Sequence, residues 1–296
     1  MNIQKFIEKN SGIPNACIFL SGSGTNAEKL LESLRSGKSS SWKASLLFTD
    51  VPEKSRAREI GRKFGLPVES LDIREFYRER GESRVSILTE NGQRIREEWT
   101  NNIREIIKPY NVDFGILAGF VPLTNIICDF PCLNVHPGDL TVEENGIRIL
   151  AGLHSIPIET AMLKGFKTLR SSVIVAQPYT GAGGEMDTGP ILGISPSVEV
   201  DFGGKDLGHY RKIAGQRPEK RPPGGFKDEL DDLAKINQDK LKVNGDWIVF
   251  PPAVDDFASG KFAKTPTGEL LHLCGNEWKA IKTVIYDGNS ATPVLL

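Results

Sequence analysis

Three short clusters of polar residues in this chain have the types and spacing that chemistry requires. The first is Ser21-Gly22-Ser23-Gly24-Thr25-Asn26, which follows the apolar run Ala16 to Leu20 and precedes a helix-favouring stretch, Ala27 to Leu34. A strand, a glycine turn and a helix start bring backbone N–H groups and the positive end of a helix to one place, where an anion can bind. The spacing is neither the dinucleotide fingerprint nor a P-loop, whose lysine is missing. A tight turn with Thr25 or Asn26 as helix cap would use the same residues. The second cluster, Asn134-Val135-His136-Pro137, ends a short apolar run. Strand alternation sends Asn134 and His136 to one face, where both can address a single reacting atom. The third, Met186-Asp187-Thr188-Gly189-Pro190, follows Gly181 to Gly184 and offers a carboxylate on a turn; alone it reads equally as turn chemistry before a strand.

The elements that must position these clusters read as an α/β sheet. Strands are expected at Ala16 to Leu20, Ala44 to Phe48, Pro67 to Leu71, Phe114 to Ala118 and Leu133 to Val135, with a charged helix from about Ser55 to Phe64. Ile95, Trp99, Ile103 and Ile106 recur at helical spacing, the pattern of a helix burying one stripe on a sheet. The alternation predicts an open, mostly parallel, Rossmann-like sheet with helices on both faces, in which ligands bind beyond the carboxyl ends of the strands. Farther on, strands are expected at Ser171 to Ala176 and Ile191 to Val200, and a helix at Asp228 to Leu241. Another helix should cover Trp247 to Phe257, interrupted at Pro251-Pro252. Extra strand-like pieces occupy Glu269 to Leu273 and Ala280 to Ile285. Gly203 to Lys227, rich in Gly, Pro, Lys and Arg, reads as a long loop or insertion. The expected division is a catalytic unit over 14–262 and a β extension over 263–296.

Composition narrows the class. The 296 residues carry 37 Lys+Arg against 38 Asp+Glu, so no global field steers nucleic acid or an acidic membrane. The basic segment Tyr210 to Lys227 lacks aromatic interleaving and reads as a solvated loop or lid, not a nucleic-acid patch. No apolar run approaches membrane-spanning length and no signal-peptide pattern opens the chain, so a cytoplasmic protein is expected. Four irregularly spaced cysteines argue against a zinc site, and no metal is expected.

In this order the three clusters resemble those of the folate-dependent formyltransferases, most closely the glycinamide ribonucleotide branch, over roughly Ala16 to Val200 with a weaker echo at Trp247 to Phe262. Asn134-Val135-His136-Pro137 is similar to the family's Asn-x-His signature and Asp187-Thr188-Gly189-Pro190 to its aspartate turn. The resemblance implies transfer of a formyl group from 10-formyltetrahydrofolate to an amine, most closely glycinamide ribonucleotide in purine biosynthesis. It implies Asn134, His136 and Asp187 as catalytic residues. It implies Gly22, Ser23, Gly24, Thr25 and Asn26 at the acceptor phosphate, with His154 on the acceptor loop and Asp246 at acceptor hydroxyls. Folate would lie against Phe120, Val121, Pro122, Leu123, Thr124, Gly183, Gly184 and Met186, largely through backbone, with Arg84 as a partner for its glutamate. A homodimer is left open. The chain departs from the family after Pro137: Gly138-Asp139-Leu140-Thr141 and an inserted Val142 to Ile149 stand where Ser-Leu-Leu-Pro is usual. These departures fall where acceptor contacts form. They keep open formylation of another amine such as that of a nucleotide sugar, hydrolysis of formyltetrahydrofolate, and a catalytically silent folate-binding module.

Overall fold

A computed structural model describes residues 3–7, 12–153, 155–180, 185–222 and 224–296. The chain runs β1 (Gln4–Lys5), β2 (Asn15–Phe19), α1 (Thr25–Arg35), β3 (Lys43–Thr49), α2 (Ala57–Phe64), β4 (Val68–Ser70), α3 (Ile73–Glu79), α4 (Glu90–Ile107), β5 (Phe114–Leu117) and β6 (Cys132–His136). It continues through β7 (Glu143–Glu144), β8 (Ile147–Arg148), α5 (Ile156–Lys164), β9 (Thr168–Leu169), β10 (Ser172–Val175), β11 (Ile191–Ile194), β12 (Val198–Glu199), α6 (Leu207–Gly215) and α7 (Glu229–Leu241). Last come α8 (Trp247–Ala258), β13 (Phe262–Lys264), β14 (Leu270–Cys274), β15 (Glu277–Tyr286) and β16 (Ala291–Leu295).

Twelve strands form one sheet in the order β1-β13-β14-β15-β11-β10-β6-β5-β2-β3-β4, with β16 beside β15. The half from β4 to β6 is wholly parallel. Beyond β6 the pairing turns antiparallel, except that β15 lies parallel to β11. The carboxyl ends of β2, β5 and β6 therefore share an edge, and the turn after β2 and the end of β6 meet there. The C-terminal strands extend this same sheet.

Strand alternation separates the two cores. Ala16 and Ile18 of β2 face α1, α2 and α8, whose contributions include Leu30, Ile60 and Phe250. Cys17 and Phe19 face the other way, onto Phe76 of α3 and the Ile95, Trp99, Ile103 and Ile107 stripe of α4. Ile106, at the margin of that stripe, is only partly buried. Full burial of each such side chain contributes roughly 1.5–3 kcal/mol, so the helices on both faces are held by packing more than by their own propensity.

The segment expected as a long loop contains α6. Asp206 caps that helix by accepting from the His209 amide at 2.8 Å, and Tyr210 is buried with α5 and α7 residues. The remaining chain is tied down by charge: Arg217 and Arg221 both donate to the buried Glu159, at 2.5 and 2.9 Å, and also reach Asp228 and Asp231. Two other expectations need correction. Ile191 to Val200 is two strands in different sheets, with Pro196 between them. The helix over Pro251-Pro252 is unbroken; the irregularity comes earlier, as a π-helical turn at Lys242–Asp246 that joins α7 to α8. Such turns often sit at functional positions. No helix of the described residues is long and apolar enough to cross a membrane.

Candidate active site

The turn after β2 is built as an anion cradle. Gly24 occupies the position before α1 in a left-handed conformation, φ 64°. A Cβ there would fall 2.5 Å from the Ile60 side chain and 2.8 Å from that of Leu20, so glycine is required twice over. No side chain caps α1; neither Thr25 nor Asn26 takes that role, which leaves first-turn N–H groups facing the turn. Ser21 to Asn26, with Ala118, Gly119, Val121 and Lys242, line a cavity of about 230 Å³. Lys242 brings a cation to this lining, its Nζ paired with Asp239 at 3.0 Å. Sequence reading passed over it, although it stands four residues before Asp246 on a helical stretch, a spacing that puts both on one side.

The Asn26 side chain also belongs to a directed chain of hydrogen bonds. Trp247 Nε1 donates to its Oδ1 at 3.1 Å, and its Nδ2 donates to Asp246 Oδ2 at 3.0 Å. Ser171 Oγ donates to Asp246 Oδ1 at 2.5 Å. Burial pushes the Asp246 carboxyl above the ordinary carboxylate range, and the Ser171 and Asn26 hydrogen bonds only partly offset this. Asp246→Ala would leave the Asn26 amide and the Ser171 hydroxyl without their shared acceptor. The expected loss is about 1–3 kcal/mol of stability, read by urea denaturation at pH 7. A carboxyl whose value is higher folded than unfolded binds its proton more tightly in the folded state. The stability contributed by Asp246 should therefore fall as pH rises from about 4 through the raised value, and the difference between wild type and variant should shrink with it.

At the end of β6, Asn134 and His136 lie two apart on one strand face, as alternation requires. The half-buried Asn134 side chain makes no hydrogen bond among the described residues, so its amide is free for a ligand. His136 is only 3% exposed. The loop between β10 and β11 returns Asp187 to it: His136 Nδ1 stands 3.5 Å from Asp187 Oδ2, whose side chain is 22% exposed. The other ring nitrogen, Nε2, lies 2.7 Å from the Leu150 carbonyl and donates to it. Nδ1 is thus the nitrogen left for chemistry. Gly189 shapes the aspartate turn, because a Cβ would fall 1.8 Å from the Val175 carbonyl. The His136 ring is close enough to exert a small opposing pull on the Asp246 carboxyl, which puts the anion cradle and the histidine in one region.

The segment after β5 is mostly committed to structure. Phe120 stacks on Trp99 at 6.2 Å. The Thr124 hydroxyl accepts from the Ile126 amide and meets that of Thr100. The Val121 amide donates to Ser21 Oγ, and the Leu123 carbonyl accepts from Arg96. Ser21 in turn donates to Asp50 at 2.5 Å, so this loop and the anion turn are cross-braced. The Leu123 amide and the Val121 carbonyl keep no partner among the described residues, and Pro122 has no N–H to offer. Met186 packs half-buried against the α4 side of the sheet. Arg84 stands exposed between α3 and α4 without a hydrogen bond or ion pair among the described residues, and nothing draws it to the other site residues. His154, Gly183 and Gly184 lie outside the described residues. Among the described residues no three His, Cys, Asp or Glu side chains cluster as metal ligands.

No family model and no curated protein matches the chain. Solved structures do. A phosphoribosylglycinamide formyltransferase from Anaplasma phagocytophilum superposes with TM-score 0.57 at 18% identity, over 93% of this chain and 99% of that one. A glycinamide ribonucleotide transformylase from Symbiobacterium toebii gives 0.54 at 19%, over 90% and 94%. A formyltetrahydrofolate deformylase from Pseudomonas syringae gives 0.55 at 12%, over 88% and 66%. The sheet and its flanking helices are those of the formyltransferase fold, and this chain belongs to that fold.

Proposed function

We propose that the protein transfers the formyl group of 10-formyltetrahydrofolate to an amine on a small phosphorylated acceptor, with glycinamide ribonucleotide as the first candidate. The observation that carries this reading is the placement of His136 Nδ1 3.5 Å from the Asp187 carboxylate, beside the unpaired Asn134 amide. The acceptor amine attacks the formyl carbon and forms a C–N bond while the carbonyl becomes an oxyanion. Asn134 donates to that oxyanion, and His136, once its ring is doubly protonated beside Asp187, supplies a second donor from Nδ1. Collapse restores the carbonyl and breaks the bond to the folate nitrogen, which takes the Nδ1 proton of the His136 imidazolium, and the ring keeps its Nε2 hydrogen on Leu150. The proton lost by the amine leaves by way of the Asp187 carboxylate. Folate would lie along 120–124, using unpaired backbone groups there such as the Leu123 amide and the Val121 carbonyl, and the acceptor phosphate would occupy the Ser21 turn with Lys242. That cation and the uncapped helix start favour a phosphorylated acceptor over water.

The test is a mass-detected screen with 10-formyltetrahydrofolate and either glycinamide ribonucleotide, a nucleotide-linked amino sugar or no amine. Formylated glycinamide ribonucleotide is expected. Tetrahydrofolate release without an amine would replace transfer by hydrolysis, and no release under any condition would leave a silent module. Gly24→Val should raise the acceptor KM about tenfold or more while folate affinity changes little, the signature of lost ground-state binding.

A further inference from the structure

The segment after Pro137 touches the His136–Asp187 pair at two separate points. The small hairpin of β7 and β8 turns through Asn145 and Gly146, both at positive φ. It carries Arg148, whose Nη1 donates to the Asp187 carbonyl at 2.5 Å and to the Gly189 carbonyl at 2.9 Å. The Arg148 side chain is 19% exposed, and its Nε stands 3.9 Å from Glu143 across the hairpin. Two residues on, the buried Leu150 offers the carbonyl that accepts from His136 Nε2. An independent feature supports this second contact. A Cβ on Gly138 would fall 2.4 Å from the Leu150 oxygen and 3.1 Å from His136 Nε2. Glycine at 138 is what allows the Leu150 backbone to reach the imidazole.

We infer that Arg148 and the Leu150 carbonyl are positioning groups, and that the strap 138–151 sets the geometry of the His136–Asp187 pair. The inference rests on the formyl-transfer reading. Donation from Nε2 to Leu150 fixes the ring's orientation and leaves Nδ1 toward the reacting groups. Arg148 closes two carbonyls of the turn and holds the Asp187 carboxylate at its distance from Nδ1. Neither group touches a reacting atom; both act through residues that do.

The experiment has a spectroscopic arm and a kinetic arm. The chain has four histidines, few enough for His136 to be assigned in long-range ¹H–¹⁵N spectra by comparison with His136→Gln. In the wild type Nε2 is expected to carry its hydrogen throughout the neutral range, and Gly138→Ala should move the Nε2 and Nδ1 shifts toward mixed tautomers. With 10-formyltetrahydrofolate and glycinamide ribonucleotide, Arg148→Ala should lower kcat about tenfold to a hundredfold, the scale of a small misplacement. The folate KM should stay within about threefold, because binding contacts are untouched. Arg148→Lys keeps one donor and should recover part of the loss; it also serves if the alanine variant does not fold. Turnover of Arg148→Ala within about twofold of wild type would overturn the role of Arg148. A wild-type His136 protonated on Nδ1 alone would overturn that of Leu150. If the wild type shows no turnover, the functional proposal fails, while the nitrogen shifts of His136 in Arg148→Ala and Gly138→Ala still decide whether the strap positions the ring.

Discussion

Alanine at His136 is expected to lower turnover with the true acceptor by about 10²–10⁴, the range for loss of a positioned proton-transfer group. Asn134→Ala should cost on the order of 10²–10³, as removal of one oxyanion donor does. Asp187 faces the same imidazole edge, 3.5 Å away. A double change of His136 and Asp187 should therefore cost little more than the worse single change, since groups that act as a unit lose activity non-additively. Folate binding, followed separately by fluorescence quenching, should fall far less than kcat, because the neighbouring loop offers mostly backbone. Near-normal turnover in all three variants would mean that the chemistry lies elsewhere.

The second large effect concerns stability. Glu159 is 5% exposed and accepts from Arg217, Arg221 and Ser155. Removing it as Glu159→Ala leaves two partly buried guanidinium groups short of an acceptor. Breaking a buried ion pair in this way costs about 3–5 kcal/mol, and the low end is expected because Asp228 and Asp231 remain. Urea denaturation of the full chain would measure the loss, and proteolysis should find its new cuts in 203–227, which these pairs fasten to α5 and α7. A shift below about 1 kcal/mol would show that the pairs order the segment without stabilising it. Arg217 also holds Asp228 below the usual carboxylate range. That contribution is fully present above about pH 4 and is lost as pH falls through the lowered value.

The parallel half of the sheet was legible because its strands are short apolar runs closed by polar turns, and because α4 shows one uninterrupted apolar stripe. The site clusters were legible for a related reason: each follows a strand or a glycine turn, where side chains must point into a cleft. What escaped had weaker local signals. α6 hides in a stretch whose glycines and basic residues speak for a loop, and only the Asp206 cap marks its start. The β7–β8 hairpin is announced by Asn145-Gly146, a strong turn pair, but strands of two residues carry no readable alternation. Arg148 and Lys242 are ordinary surface types in sequence; only tertiary structure carries one to the aspartate turn and the other to the anion cradle. The unbroken helix over Pro251-Pro252 runs against local propensity, and burial of Val249, Phe250, Ala253 and Val254 outweighs it.

The position of β15 has a consequence for how the chain is made. β11 has β10 on one side and receives its other neighbour, parallel, from residues 277–286. Gly193 on β11 leaves the space that the Tyr286 ring fills, and Tyr286 donates to Asp256 on α8. During synthesis from the N-terminus, the parallel half and its helices are complete long before this strand emerges. Until then β11 presents an open strand edge of the kind that recruits other chains, and the pairing that closes it spans a large sequence separation and forms slowly. The hazard of misassembly is therefore concentrated in the interval between release of α8 and docking of β15, and a nascent chain stalled in that interval is the species a chaperone would have to shield.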